Sequence, residues 1–203
     1  MYSQHPGSGN RFLYHWISPE RLGKFVRQGV LKPYWRHWVY DLGGFVRGIS
    51  ASPDPVDWMP REDEGVPGEA CLVIDRKAFD HRAVELWSTE TYHLTKEILL
   101  ARRNGRSIDE ILARIPDRRA HTWATMDETF IIDPVPARAI AAIGYEPNRM
   151  WWEDLRTITD AAEQWSIPLV RMDGWLEDAP HAEELDEVME QAIENPDRGF
   201  YWP

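Results

Sequence analysis

Residues 12–31, FLYHWISPERLGKFVRQGVL, carry the clearest alternation of apolar and polar positions in the chain. An apolar run, Phe12-Leu13-Tyr14, gives way at His15, and Ser18 then precedes Pro19-Glu20-Arg21. Serine before a proline and an acid is how a helix starts: an N-cap, a residue with φ already set, and a carboxylate near the positive helix end. Leu22, Phe25 and Val26 recur at helical spacing, and Gly29 stands where a left-handed C-cap would fall. The pattern predicts strand, turn, helix and stop, with His15 where the strand ends. A side chain at a strand end is rigidly held yet open to a cleft, so such positions suit chemistry.

The pattern continues with alternating element types. Residues 32–48, KPYWRHWVYDLGGFVRG, hold Tyr34, Trp35, Trp38 and Tyr40 among Arg36, His37 and Arg47. They are read as a loop, either packed on the core or covering a ligand. Residues 48–52 (GISAS) form a short strand stopped by Pro53-Asp54-Pro55, and the Pro-, Asp-, Glu- and Gly-rich residues 53–68 an exposed loop. Strands are predicted at 70–74 (ACLVI), 83–88, 130–132, 141–145 and 167–172. Helices are predicted at 88–103, 107–115, 151–164 and 183–194, with a helical turn at 136–140 and a loop at 116–126. The fold class is α+β: two small, mostly antiparallel sheets meeting at a cleft, with helices on their outer sides. Residues 1–11 read as a flexible arm, 12–148 as the core domain, and 149–203 as a helical C-terminal extension packed on it, ending in the aromatic tail GFYWP.

Composition narrows the function classes. Hydrophobic residues make up 43% of the 203, enough for a core, and eleven are tryptophans, to be divided between core and cleft. A net charge of −11 argues against strong non-specific nucleic-acid binding, though a local basic cleft is compatible with it. Cys71 is the single cysteine, which excludes an intramolecular disulfide and a cysteine-based zinc site. Apolar runs fall short of the ~18 residues of a membrane span. The expectation is a soluble, cytoplasmic protein with no membrane partner and no metal.

Phosphate-binding glycine loops, zinc-protease signatures and the serine-hydrolase elbow are all missing, and the seven histidines occur singly. What remains is a constellation spread over strands. His15 is on the first, Ser50 and Ser52 share one face of the second, and Glu128 opens the strand after a basic loop. Each has a purely structural explanation when taken singly: a hydrogen-bonded histidine, serines near a loop, a solvated acid. Their order is more informative. YHWIS followed by RLGKFVRQGVL, then GISASPDP, then DETFIIDPVPARAIAAI, resembles the ADP-ribosyltransferase superfamily, in particular its smaller bacterial and phage enzymes.

That resemblance implies split antiparallel sheets around an NAD cleft, and transfer of ADP-ribose from NAD, as co-substrate, to a protein or nucleic-acid acceptor. It implies Glu128 as the catalytic acid, and a cofactor-binding set of His15, Ser18, Arg47, Ser50, Ser52, Tyr34 and Tyr40. His15 would bond the adenosine-side ribose, the two serines would line the nicotinamide pocket, Arg47 would hold a phosphate, and Tyr34, Trp35, Trp38 or Tyr40 would stack on nicotinamide. The triad departs from the superfamily's Arg-Ser-Glu and His-Tyr-Glu patterns by combining His with Ser. Two alternatives stay open. One is an NAD-dependent RNA 2'-phosphotransferase, which relies on arginines such as Arg11, Arg47, Arg118 and Arg119. The other is a non-catalytic binding or inhibitor protein using the acids between 153 and 194.

Overall fold

In the computed structural model the opening unit forms as β1 (Phe12–Ile17) and α1 (Pro19–Gln28). The structure describes residues 10–39, 43–53, 70–86, 88–112, 128–147, 150–172 and 185–196. Residues 1–9 of the expected arm 1–11, most of the two predicted loops at 53–68 and 116–126, Tyr40 and the aromatic tail lie outside the described residues. After α1 come β2 (Val30–Leu31), β3 (Trp35–Val39), β4 (Gly44–Ala51), β5 (Ala70–Asp75) and β6 (Ala83–Leu86). Then follow α2 (Ser88–Arg103), α3 (Ile108–Leu112), β7 (Glu128–Ile131), β8 (Val135–Pro136) and β9 (Ile140–Tyr145). Among the described residues α4 (Trp152–Trp165), β10 (Leu169–Arg171) and α5 (Leu185–Glu194) follow.

Among the described residues the strands form two four-stranded sheets, β1-β5-β9-β10 and β3-β4-β7-β6, and a small β2-β8 pair. All of these pairings are antiparallel except β9 with β10. The first sheet is covered on both faces, which explains why β5 reads as a continuous apolar run: all six of its residues are buried. One cover is the main core, where Leu13 and Ile17 meet Leu22, Phe25 and Val26 of α1, Ile158 and Ala161 of α4, and Ile49 and Ile131 of the second sheet. The other joins Phe12, Tyr14, Cys71 and Val73 to Leu185 and Met189 of α5. The three buried side chains of α1 contribute about 1.5–3 kcal/mol each through removal from water.

Two sequence expectations are corrected. Within the expected loop 32–48, residues 35–39 and 44–48 are strands: β3 and the first half of β4 form an antiparallel pair running from Trp35↔Gly48 to Val39↔Gly44. Aromatics occur on both faces of β3, which hides the period of two. Trp35 and His37 lie on one face, while Trp38 on the other packs with Phe45 and with Ile98 of α2. His15 is not at a strand end either. It is the fourth of six residues in β1 and pairs with Leu72, because β5 is long enough to hold the ladder to Ile17↔Ala70.

Local chemistry secures the helices and the first strand. Gly29 caps α1 with φ 65°, and its N–H donates to the Phe25 carbonyl at 2.8 Å. A Cβ at Gly29 would sit 2.7 Å from the Trp165 ring, whose indole N–H donates to the Val26 carbonyl at 3.1 Å. So α1 and α4 meet where a side chain is excluded. The Asp186 carboxylate on α5 accepts from the Arg11 and Phe12 amides (2.5 and 3.1 Å), and Arg11 also pairs with Asp75 and Glu190. Burial pushes the Asp75 carboxyl up, and the hydrogen bonds from Arg11 and the Lys77 amide outweigh it, leaving the group below its ordinary value. Residues 169–171, beyond the expected core boundary, are hydrogen-bonded into the first sheet as its edge strand. No helix among the described residues is long and apolar enough to cross a membrane.

Candidate active site

The two sheets touch where β1 passes the end of β4. Tyr14 and Ser52 exchange both backbone hydrogen bonds at 2.8 Å, an isolated bridge between the sheets. Ser52 is fully buried there. One residue along β1, the His15 ring reaches β4 as well: its Nδ1–H donates to the Ser50 carbonyl at 2.5 Å. A carbonyl can only accept, so the proton is on Nδ1 and Nε2 carries the lone pair. The Tyr34 hydroxyl donates to that Nε2 at 3.0 Å. His15 is 2% exposed, and burial pulls its pKa down to about 4, so the ring is neutral at physiological pH.

Tyr34 carries the arrangement outward. The Arg21 guanidinium lies over its ring at 4.1 Å and within 5.8 Å of the Trp35 ring. From Tyr34 an aromatic chain runs through Trp35 (5.7 Å) and His37 (6.1 Å, stacked) to Phe130 (5.2 Å, edge-on). Phe130 covers β4 at Gly48, where an added Cβ would meet its ring carbons at 2.5–2.8 Å. Gly48 is therefore required for Phe130 to lie flat against the strand. Burial also lowers the His37 pKa.

The register places Glu128. Ser50 pairs with Phe130 and Ala51 with Thr129, and Ser52 and Glu128 are the next residues along their chains from that last pair. On its other side Glu128 pairs with Leu86 of β6. His15, Ser50, Ser52 and Glu128 are thus carried on three strands, β1, β4 with its extension, and β7, that adjoin at one seam. Tyr34 joins them through His15. Ser18 takes the N-cap position of α1, directly after β1, but its side chain makes no capping hydrogen bond. Arg47 is exposed, and alternation along β4 sets it on the face opposite Ser50, paired with Arg36.

Arg21 was not among the residues singled out from the sequence. Its position one turn into the helix, after the histidine strand, is a signal only in retrospect, since helical spacing alone does not say that it would reach a tyrosine thirteen residues on. Among the described residues no group of three or more His, Cys, Asp or Glu side chains is placed to hold a metal ion.

No protein-family model and no curated protein matches this sequence. Among solved structures, the chain is similar to Thermus sp. 2.9 DarT in complex with NAD+, at 13% identity and a TM-score of 0.43, covering 86% of this chain and 99% of that one. It is also similar to Thermus sp. 2.9 DarT in complex with ADP-ribosylated ssDNA, at 14% identity and a TM-score of 0.45, with the same coverage. At such values the likeness carries no argument about the chemistry of this chain, and the site stands on its own geometry.

Proposed function

We propose that this chain transfers ADP-ribose from NAD to a macromolecular acceptor, protein or nucleic acid, at the seam between its two sheets. The observation that carries the reading is the convergence of His15, Ser50, Ser52 and Glu128, far apart in sequence, on adjoining strands. In the reaction the bond from ribose C1' to the nicotinamide nitrogen breaks, and nicotinamide leaves with the bonding pair. Positive charge develops on the sugar, and a lone pair of the acceptor closes on C1' while its proton passes to a base or to water. A carboxylate beside the ribose stabilises that charge in the transition state more than in the ground state, which is what lowers the barrier. Glu128 is the residue assigned that role.

The neutral His15 is suited to position and to hydrogen-bond, and unsuited to act as a cation. Its Nε2 reaches a ribose hydroxyl only when the Tyr34 hydroxyl releases it, so Tyr34 is part of the binding step and its ring is the nearest stacking surface. Ser18, whose hydroxyl makes no capping hydrogen bond at the α1 start, and Ser50 complete the proposed NAD contacts. Arg21, exposed on the Tyr34 ring, supplies a cation at the same rim.

The test is nicotinamide release from NAD by the purified chain, with and without cell lysate, beside Glu128→Gln. Release that needs Glu128 and increases with lysate supports transfer to an acceptor. Unchanged release by the variant sinks the site assignment, and no release together with no calorimetric binding of NAD sinks the function.

A further inference from the structure

The face of the β3-β4 pair turned away from Ser50 carries a second concentration of chemistry. Arg36 and Arg47 stand directly opposite each other on neighbouring strands. Like charges in that relation are destabilising, since the Cβ atoms of a cross-strand pair are only ~5 Å apart. Arg102, from the last turn of α2, joins them: its guanidinium is 5.0 Å from the Phe45 ring centre, and that of Arg36 is 4.8 Å from the same ring. Arg102 also lies 5.8 Å from the Trp38 ring.

All three arginines are exposed, and none has an acidic partner among the described residues. Elsewhere in the chain Arg11, Arg82 and Arg156 each have a carboxylate within 4.0 Å. Stacking on an aromatic ring uses the face of a guanidinium and leaves its five N–H donors at the edge free for oxygen acceptors. The rings hold Arg36 and Arg102 in place before any ligand arrives, so less side-chain entropy is lost on binding.

We infer that Arg36, Arg47 and Arg102 form a binding site for phosphate groups, on the opposite face of the sheet from the NAD site proposed above and independent of it. The matching ligand carries at least two neighbouring negative charges, which offset the repulsion between Arg36 and Arg47. Phosphate in that form comes from a free polyphosphate or from a nucleic-acid backbone.

Calorimetric titration of the full chain separates the cases, with sodium tripolyphosphate, an oligothymidine, and the uncharged methylphosphonate oligothymidine as probes. Tripolyphosphate binding that weakens by at least about tenfold in Arg36→Gln/Arg102→Gln, and again in Arg47→Gln, supports the site. Binding of the oligothymidine but not its methylphosphonate form, with a steep loss between about 50 and about 200 mM salt, identifies the backbone as a source. Thermal melts of the variants establish that they are folded, which is expected because all three side chains are exposed. The inference is overturned if neither anion binds at low salt, or if folded variants bind as the parent does.

Discussion

The His15 Nδ1–H and the Ser50 carbonyl, thirty-five residues apart, form a 2.5 Å hydrogen bond that ties the first sheet to the second at the proposed site. With the Tyr34 hydroxyl on Nε2, both ring nitrogens are engaged, and the imidazole is locked in one tautomer.

The burial of that ring makes stability depend on pH. Burial holds the folded pKa of His15 at about 4, against an ordinary value of 6.5. Between these values the unfolded chain binds a proton that the folded chain does not, so stability is fully present above about pH 6.5 and falls as pH drops toward 4. The loss is on the order of 3 kcal/mol by pH 4. Urea melts across this range should show a smaller pH slope for His15→Gln than for the parent. Parallel profiles would mean that His15 titrates normally in the fold.

Removing the Tyr34 hydroxyl while keeping its ring separates positioning from stacking. Tyr34→Phe leaves the buried Nε2 of His15 without its donor, and should cost about 1 kcal/mol in a urea melt. The proposed function adds a second expectation: tighter NAD binding by calorimetry in Tyr34→Phe, where Nε2 is already released to the ribose hydroxyl and the ring is kept, and weaker binding in Arg21→Gln. Unchanged NAD affinity in both would remove this rim from the site.

The contact of α1 with α4 is tested at Gly29. Alanine there must adopt φ 65° and also displace the Trp165 ring, so Gly29→Ala should destabilise by about 2 kcal/mol or more. Part of that cost is steric, and a double-mutant cycle with Trp165→Leu should recover it. Strict additivity would show that only the backbone conformation matters.

The sequence by itself determined the local units. Spacing and caps set α1 between Pro19 and Gln28 and its Gly29 stop, and the apolar run at 70–74 declared a strand. It also placed Glu128 at the opening of a strand. These features depend on neighbours within a turn or two, which is the range over which periodicity and capping act. Tertiary structure alone decided the rest. It made residues 35–39 a strand, because a partner at 44–48 supplies the hydrogen bonds that an aromatic run with no clear period does not advertise. It moved His15 from a strand end to a buried, neutral position, because β5 extends the ladder past it. It laid Arg21 on Tyr34, and it set Arg36 against Arg47 on the face away from Ser50. Each of these depends on register between strands or on packing between separate elements, and a shift of one residue would turn every side chain of a strand to its other face.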